Sequence, residues 1–207
     1  DWNFGDLPEK VFNLFRQSIL IIRTQCANNG AIIAATDSDV LATARDHYSY
    51  IWPRDGALVT VALDRVGFPE IPLRFFQLSS QMLTEGGYNL QRYNADGTPG
   101  SSWYPLARDG EERLPIQEDE TALINYALWH HYQCFRDFEE IAPFYWSLVK
   151  RIGDFLLSYR DPNSGLPLPS FDLWEERRGV FSFTAATVYA GLNAAANFAD
   201  LFGDLHN

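Results

Sequence analysis

The segment Phe171-Asp172-Leu173-Trp174-Glu175-Glu176-Arg177-Arg178 sets two adjacent carboxylates beside an indole and two guanidinium groups. A carboxyl next to an aromatic wall can hold a sugar ring by stacking and protonate its glycosidic oxygen. Glycoside hydrolysis uses two carboxyl groups across the scissile bond, about 6.5–9.5 Å apart for inversion and about 5–5.5 Å for retention. Neighbouring residues normally point in different directions, so Glu175 and Glu176 do not form such a pair. The assignment that fits the spacing is one general acid, Glu175, and one substrate hydrogen-bond partner, Glu176. Trp174 and the second carboxylate push the acid's pKa up, while Arg177 and Arg178 pull it down, so the sequence leaves that balance open. On spacing alone, a solvated charge cluster is an equal alternative.

Two other segments carry comparable chemistry. Tyr48-Ser49-Tyr50-Ile51-Trp52-Pro53-Arg54-Asp55 offers an adjacent cation and anion that could grip a vicinal diol, with Tyr48 or Trp52 as an apolar face. The plainer reading makes Asp55 a helix N-cap and Arg54 its ion-pair partner. The second runs from Tyr93-Asn94-Ala95-Asp96-Gly97 through Gly100-Ser101-Ser102-Trp103-Tyr104 to Gln117-Glu118-Asp119-Glu120-Thr121. Its acidic cluster reads mainly as a solvated helix N-terminus favoured by the helix dipole, with Gln117 the member best able to reach a ligand.

Six helical segments position these groups. The first covers about Leu7 to Thr24, with Asp6 as N-cap, Pro8 in the first turn and Val11, Phe12, Phe15, Ile19 and Ile22 at helical spacing. The others cover about Asp55–Val66, Glu70–Thr84, Glu118–Arg136, Phe138–Tyr159 and Phe183–Phe202, with Gly67, Gly86-Gly87 and Gly203 as stops. Ala31-Ile32-Ile33-Ala34-Ala35 is the one strand candidate. Without βαβ alternation the class is all-α. Helices two and three, and four and five, are joined by a few residues and must be antiparallel neighbours. The other connections, residues 25–54, 87–117 and 160–182, are long, and long structured loops are usually functional. Antiparallel succession brings them together at the N-termini of helices two, four and six, where all the chemistry above falls.

Composition narrows the ligand. A net charge of −11 disfavours nucleic acid and anionic membranes, both of which need a basic face, but does not repel a neutral ligand. Many of the aromatic residues, 15% of the chain, lie beside Gly, Asp, Asn or Pro in polar stretches. Cys26 and Cys134 suggest no disulfide framework, and His47, His130, His131 and His206 form no zinc pattern, so neither a metal nor a cofactor is expected. No apolar run reaches membrane-spanning length.

At these motifs the chain resembles the glucoamylase family of inverting glycoside hydrolases, which includes glucodextranases and some trehalases. Tyr48 to Asp55 is similar to that family's first active-site segment, and Phe171 to Arg177 to the segment bearing its general acid. Gln117 to Thr121 is similar to the bacterial and archaeal branch. The resemblance implies a double ring of twelve helices, an (α/α)6 toroid, of which residues 1–207 would form the N-terminal half. It implies an α-glucan or maltooligosaccharide substrate cut from its non-reducing end. Glu175 would be the general acid and Glu176 its substrate-contacting neighbour. Arg54 and Asp55 would hold the terminal glucose between Tyr48 and Trp52, and Trp174 matches the motif beside them. The Leu-Trp-Glu-Glu form resembles glucoamylases and glucodextranases; trehalase-type members tend to show Ile-Trp-Glu-Val. The family's general base lies in a later segment with no counterpart here, so the C-terminal half of the domain is the implied partner. The alternative is a non-catalytic carbohydrate sensor, like the glucoamylase-like regions of phosphorylase kinase regulatory subunits.

Overall fold

The computed structural model describes residues 3–37, 47–101, 106–108 and 111–204. Its helices are α1 (Glu9–Thr24), α2 (Pro53–Arg65), α3 (Glu70–Met82), α4 (Glu118–Phe135), α5 (Phe138–Ile141), α6 (Lys150–Ser158) and α7 (Ser182–Phe202). Three short antiparallel strand pairs accompany them: β1 (Tyr50–Ile51) with β2 (Tyr93–Asn94), β3 (Leu106–Arg108) with β4 (Glu111–Arg113), and β5 (Ser170–Phe171) with β6 (Arg178–Gly179). The all-α class therefore holds.

The boundaries differ where side chains decide them. α1 starts at Glu9 behind Pro8, with no side-chain cap, so Asp6 is not its N-cap. The fifth helix is three pieces: α5, a π-helical turn over Tyr145–Val149, and α6. Pro143 lies between the first two and cannot donate to an α-helical ladder. Asp137 starts this arm by accepting from the Glu140 amide at 3.2 Å. The strand expected over residues 31–35 reduces to one bridge, Cys26 to Ile32. Ala34 and Ala35 instead donate to the carbonyls of Tyr50 and Tyr48, later in the same long loop.

The helices form two layers. α4 is central, buried from Glu118 through Asn125, with α2 on one flank and α7 on the other. α3 covers α2 and α4 from outside, and α6 covers α4 and α7. Small residues allow close approach between inner helices. A Cβ on Gly191 of α7 would lie 2.6 Å from the Ala122 carbonyl oxygen of α4. The core between the layers holds Phe75, Phe76, Leu128, Leu148, Ile152 and Phe198, all fully buried.

The layering sets the N-termini of α2, α4 and α7 at one end, and short pairings tie the long loops together there. β1 pairs with β2 in the register Tyr50 to Asn94 and Ile51 to Tyr93. The β5–β6 hairpin is stitched to the segment before α4 by the Phe171 amide donating to the Ile116 carbonyl at 3.0 Å. The convergence expected from connection lengths is observed.

Gly191→Ala should lower stability by about 1–3 kcal/mol, since the obstructing atom is backbone that cannot rotate away. A urea midpoint equal to that of the wild type would mean that α4 and α7 can separate without cost.

Candidate active site

An open cavity of about 310 Å³ lies at the loop-bearing end. Tyr48, Trp52, Arg54, Asp55, Trp174 and Glu175 line it, joined by Ala34, Arg92 and Leu173. Six of the eight residues singled out from sequence thus meet in one place, drawn from two loops more than 100 residues apart in the chain.

Glu175 reaches the cavity through an unusual backbone. Its φ is +62°, one of two positive values at non-glycine residues among those described. A non-glycine residue in that region costs roughly 1–2 kcal/mol, and Asp172 organises the turn that holds it. The Asp172 carbonyl accepts from the Glu175 amide at 3.0 Å, and its carboxylate accepts from the amides of Glu176 and Arg177 at 2.8 and 3.1 Å. The Glu175 carboxyl then meets Trp52, whose Nε1–H donates to Oε1 at 3.3 Å. Trp52 is 6% exposed, so it presents an N–H edge to the site rather than an open wall. Tyr48 stacks on it at a centroid distance of 5.8 Å and supplies the exposed face. Asp37 fixes Tyr48 by accepting from the backbone amide of Tyr48 with both carboxylate oxygens and from the hydroxyl of Ser49. Those bonds, the Ser49 hydroxyl first, hold the Asp37 carboxyl below its usual range. Trp174 is 78% exposed at the rim.

Arg54 sits beneath this surface. Its Nη1 lies 2.9 Å from Asp119 Oδ2 and 2.8 Å from Glu120 Oε1, and its Nη2 lies 3.3 Å from Asp55 Oδ2. Its backbone N–H donates to Glu120 Oε2 at 2.5 Å. Burial opposes its charge, but Glu120 and Asp119 outweigh it and hold the guanidinium protonated. Asp55, about half exposed, is the member of the pair open to the cavity. Trp52 is the residue at the N-cap position of α2 and Asp55 lies inside the first turn. The reading of Asp55 as N-cap is therefore set aside, because Pro53 takes the first helical position.

Two expectations are corrected. Glu118, Asp119 and Glu120 are not a solvated N-terminus; all three are fully buried, Asp119 and Glu120 drawn in by Arg54. Gln117 is also fully buried and does not face the cavity. Its amide donates to the Asp172 carbonyl at 2.5 Å, so it supports the acid-bearing hairpin. Glu176 is exposed on the hairpin and does not line the cavity. Ser102, Trp103 and Tyr104 lie outside the described residues. Arg92 was not anticipated, although its position beside Tyr93 in a loop rich in aromatics was a usable signal.

The site thus joins a carboxyl poised beside an indole donor to a cation–anion pair and stacking rings, on an array of paired helices. That combination is suited to holding a sugar ring on a helical scaffold. The chain belongs to glycosyl hydrolases family 15, whose model matches residues 13–207. It is 30% identical to an uncharacterized glycosyl hydrolase of Methanocaldococcus jannaschii, over 90% of this chain and 26% of that protein. It is 28% identical to glucoamylase-1 of Schizophyllum commune, over 86% of this chain and 30% of that protein. The chain therefore spans less than a third of these relatives. Among solved structures, a bacterial glucoamylase complexed with acarbose matches with a TM-score of 0.66 at 26% identity, over 92% of this chain and 25% of that one. A glycosidase variant in complex with glucose shares the fold, with a TM-score of 0.65 at 19% identity, over 97% of this chain and 59% of that one. The fold class is accordingly that of the (α/α)6 toroid proteins.

Glu118 yields a prediction of its own. Both its carboxyl oxygens are buried without a hydrogen-bond partner, and burial, then Asp119, raises its pKa from 4.5 to about 8. Between those values the folded chain keeps a proton that the unfolded chain has released. This contribution to stability is therefore complete below pH 4.5 and is lost as pH rises towards 8. Glu118→Gln should flatten the fall in melting temperature between pH 5 and pH 8. Parallel curves for variant and wild type would refute the assignment.

Proposed function

We propose that this chain is the N-terminal half of an (α/α)6 catalytic domain that releases glucose from the non-reducing ends of α-glucans or maltooligosaccharides with inversion. Glu175 is the general acid, protonating the glycosidic oxygen as the bond breaks. Arg54 and Asp55 fix the terminal ring, with Asp55 offering the open carboxylate and Arg54 holding it in place. Tyr48 supplies the stacking face and Trp174 a rim contact, while Glu176 meets the substrate beyond the cleaved bond. The water-activating carboxylate comes from the remainder of the ring, in keeping with the small share of its relatives that this chain spans.

The observation that carries this reading is the meeting of Glu175 with Trp52 and the Arg54–Asp55 pair in one open cavity. In the full-length enzyme, Glu175→Gln should lower kcat on maltooligosaccharides by about 10²–10⁴-fold with KM little changed, since a positioned general acid supplies about that much. Near-wild-type turnover would remove Glu175 from the role. The 207-residue chain by itself should release no glucose. Hydrolysis by the purified chain would show that both carboxyls lie within it.

A further inference from the structure

Arg92 is the cavity residue that the proposed chemistry leaves without a task. It lies just before β2, and its own loop holds it firmly. The Arg92 carbonyl accepts from the Gly100 amide at 3.0 Å, while Arg92 Nε donates to the Gly100 carbonyl at 3.2 Å. Pairing of β2 with β1 then brings the side chain under the aromatic residues of the first loop. Its guanidinium carbon lies 4.4 Å from the Tyr50 ring centroid and 5.8 Å from that of Trp52. The two rings meet edge to face at 5.8 Å, so one cation touches both. The Trp52 ring is the one whose Nε1–H donates to Glu175.

We propose that Arg92 is a positioning residue for Glu175: through Trp52 it fixes the indole donor on the carboxyl and keeps a positive charge on the same cavity wall. Two effects follow from that geometry. A cation over an indole face makes the N–H edge a better donor by drawing on the ring's electrons, and it resists rotation of the ring away from Glu175. The other titratable or charged groups facing the cavity are Tyr48, Arg54 and Asp55, with Asp172, Glu176 and Arg177 on the hairpin of Glu175. Arg54 is already bound by Asp119, Glu120 and Asp55. Arg92 is thus the cation that acts on the Trp52–Glu175 contact from the loop side.

The inference uses the Glu175 assignment for its meaning, but its test does not depend on catalysis. Solvent exchange of the Trp52 indole N–H, followed by NMR in the purified chain, reports how firmly the ring is held on the carboxyl it donates to. Replacing Arg92 by Met or Gln should speed that exchange about threefold to tenfold, the range expected for one lost cation–π contact, whereas Arg92→Lys should leave it near the wild-type rate. In the full-length enzyme the neutral variants should lower kcat by a similar factor with KM little changed. An unmoved exchange rate in a folded neutral variant would overturn the proposal. If neither neutral variant folds, the wild type decides: through-space contacts between the Arg92 side chain and the Trp52 and Tyr50 ring protons must be present, and their absence would overturn it. Faster exchange without loss of hydrolysis on Glu175→Gln would instead remove the catalytic role of Glu175 and leave the positioning intact.

Discussion

The rest of the site depends on a single buried cation. Arg54 bridges the first turn of α2 to Asp119 and Glu120 in the first turn of α4. Removing charged groups from water costs several kcal/mol each, and the attraction between them offsets this only when the geometry is good. Here the guanidinium meets both carboxylates within 3 Å, and its backbone N–H donates to one of them as well. The arrangement fixes the two helices in relative height, since a slip along their axes would strand a buried charge. From that fixed point the chemistry is reached in a few residues. Trp52 precedes Arg54 by two positions, and Gln117 precedes Asp119 by two. The first donates to Glu175 and the second holds the hairpin that carries it.

The two halves of the site are built from different forces. The pair that would grip the sugar rests on ion contacts among Arg54, Asp55, Asp119 and Glu120. The hairpin bearing Glu175 rests on amides: Phe171 N–H to the Ile116 carbonyl, Gln117 to the Asp172 carbonyl, and the Asp172 carboxylate on two backbone N–H groups. Backbone strain at Glu175 can persist because these bonds determine its neighbours on both sides. Ion pairs thus hold the Arg54–Asp55 pair, and hydrogen bonds to backbone groups aim the Glu175 carboxyl.

What could be read from sequence divides along the same line. Helix positions followed from apolar periodicity, and the common end of the three long loops followed from connection lengths, because both depend on neighbours in the chain. The cavity residues Tyr48, Trp52, Arg54, Asp55, Trp174 and Glu175 were legible as loop aromatics next to charge. Glu118-Asp119-Glu120 was misread because a local rule, acids at a helix N-terminus, explained it without help. The counter-charge that draws Asp119 and Glu120 inside stands 65 positions away at Arg54, and no local pattern announces it. Gln117 failed similarly: its type suits a ligand contact, but the Asp172 carbonyl, 55 positions on, claims its amide. Trp52 was read as a wall because an indole offers a large apolar face; the structure buries that ring and turns its N–H edge to Glu175.

That edge bears on how an acid could work here. An indole N–H can donate but cannot accept, so its bond to Glu175 Oε1 is made equally well to a carboxylate and to the unprotonated oxygen of a carboxylic acid. Among the described residues it is the hydrogen-bond partner of the Glu175 side chain. Oε2 is then the oxygen left to carry a transferable proton. A cationic partner in direct contact would have bound the carboxylate too strongly to let the proton return after each turnover. The strong ion pairs are confined beneath, among Arg54, Asp119 and Glu120, while the Glu175 carboxyl above them meets a neutral donor.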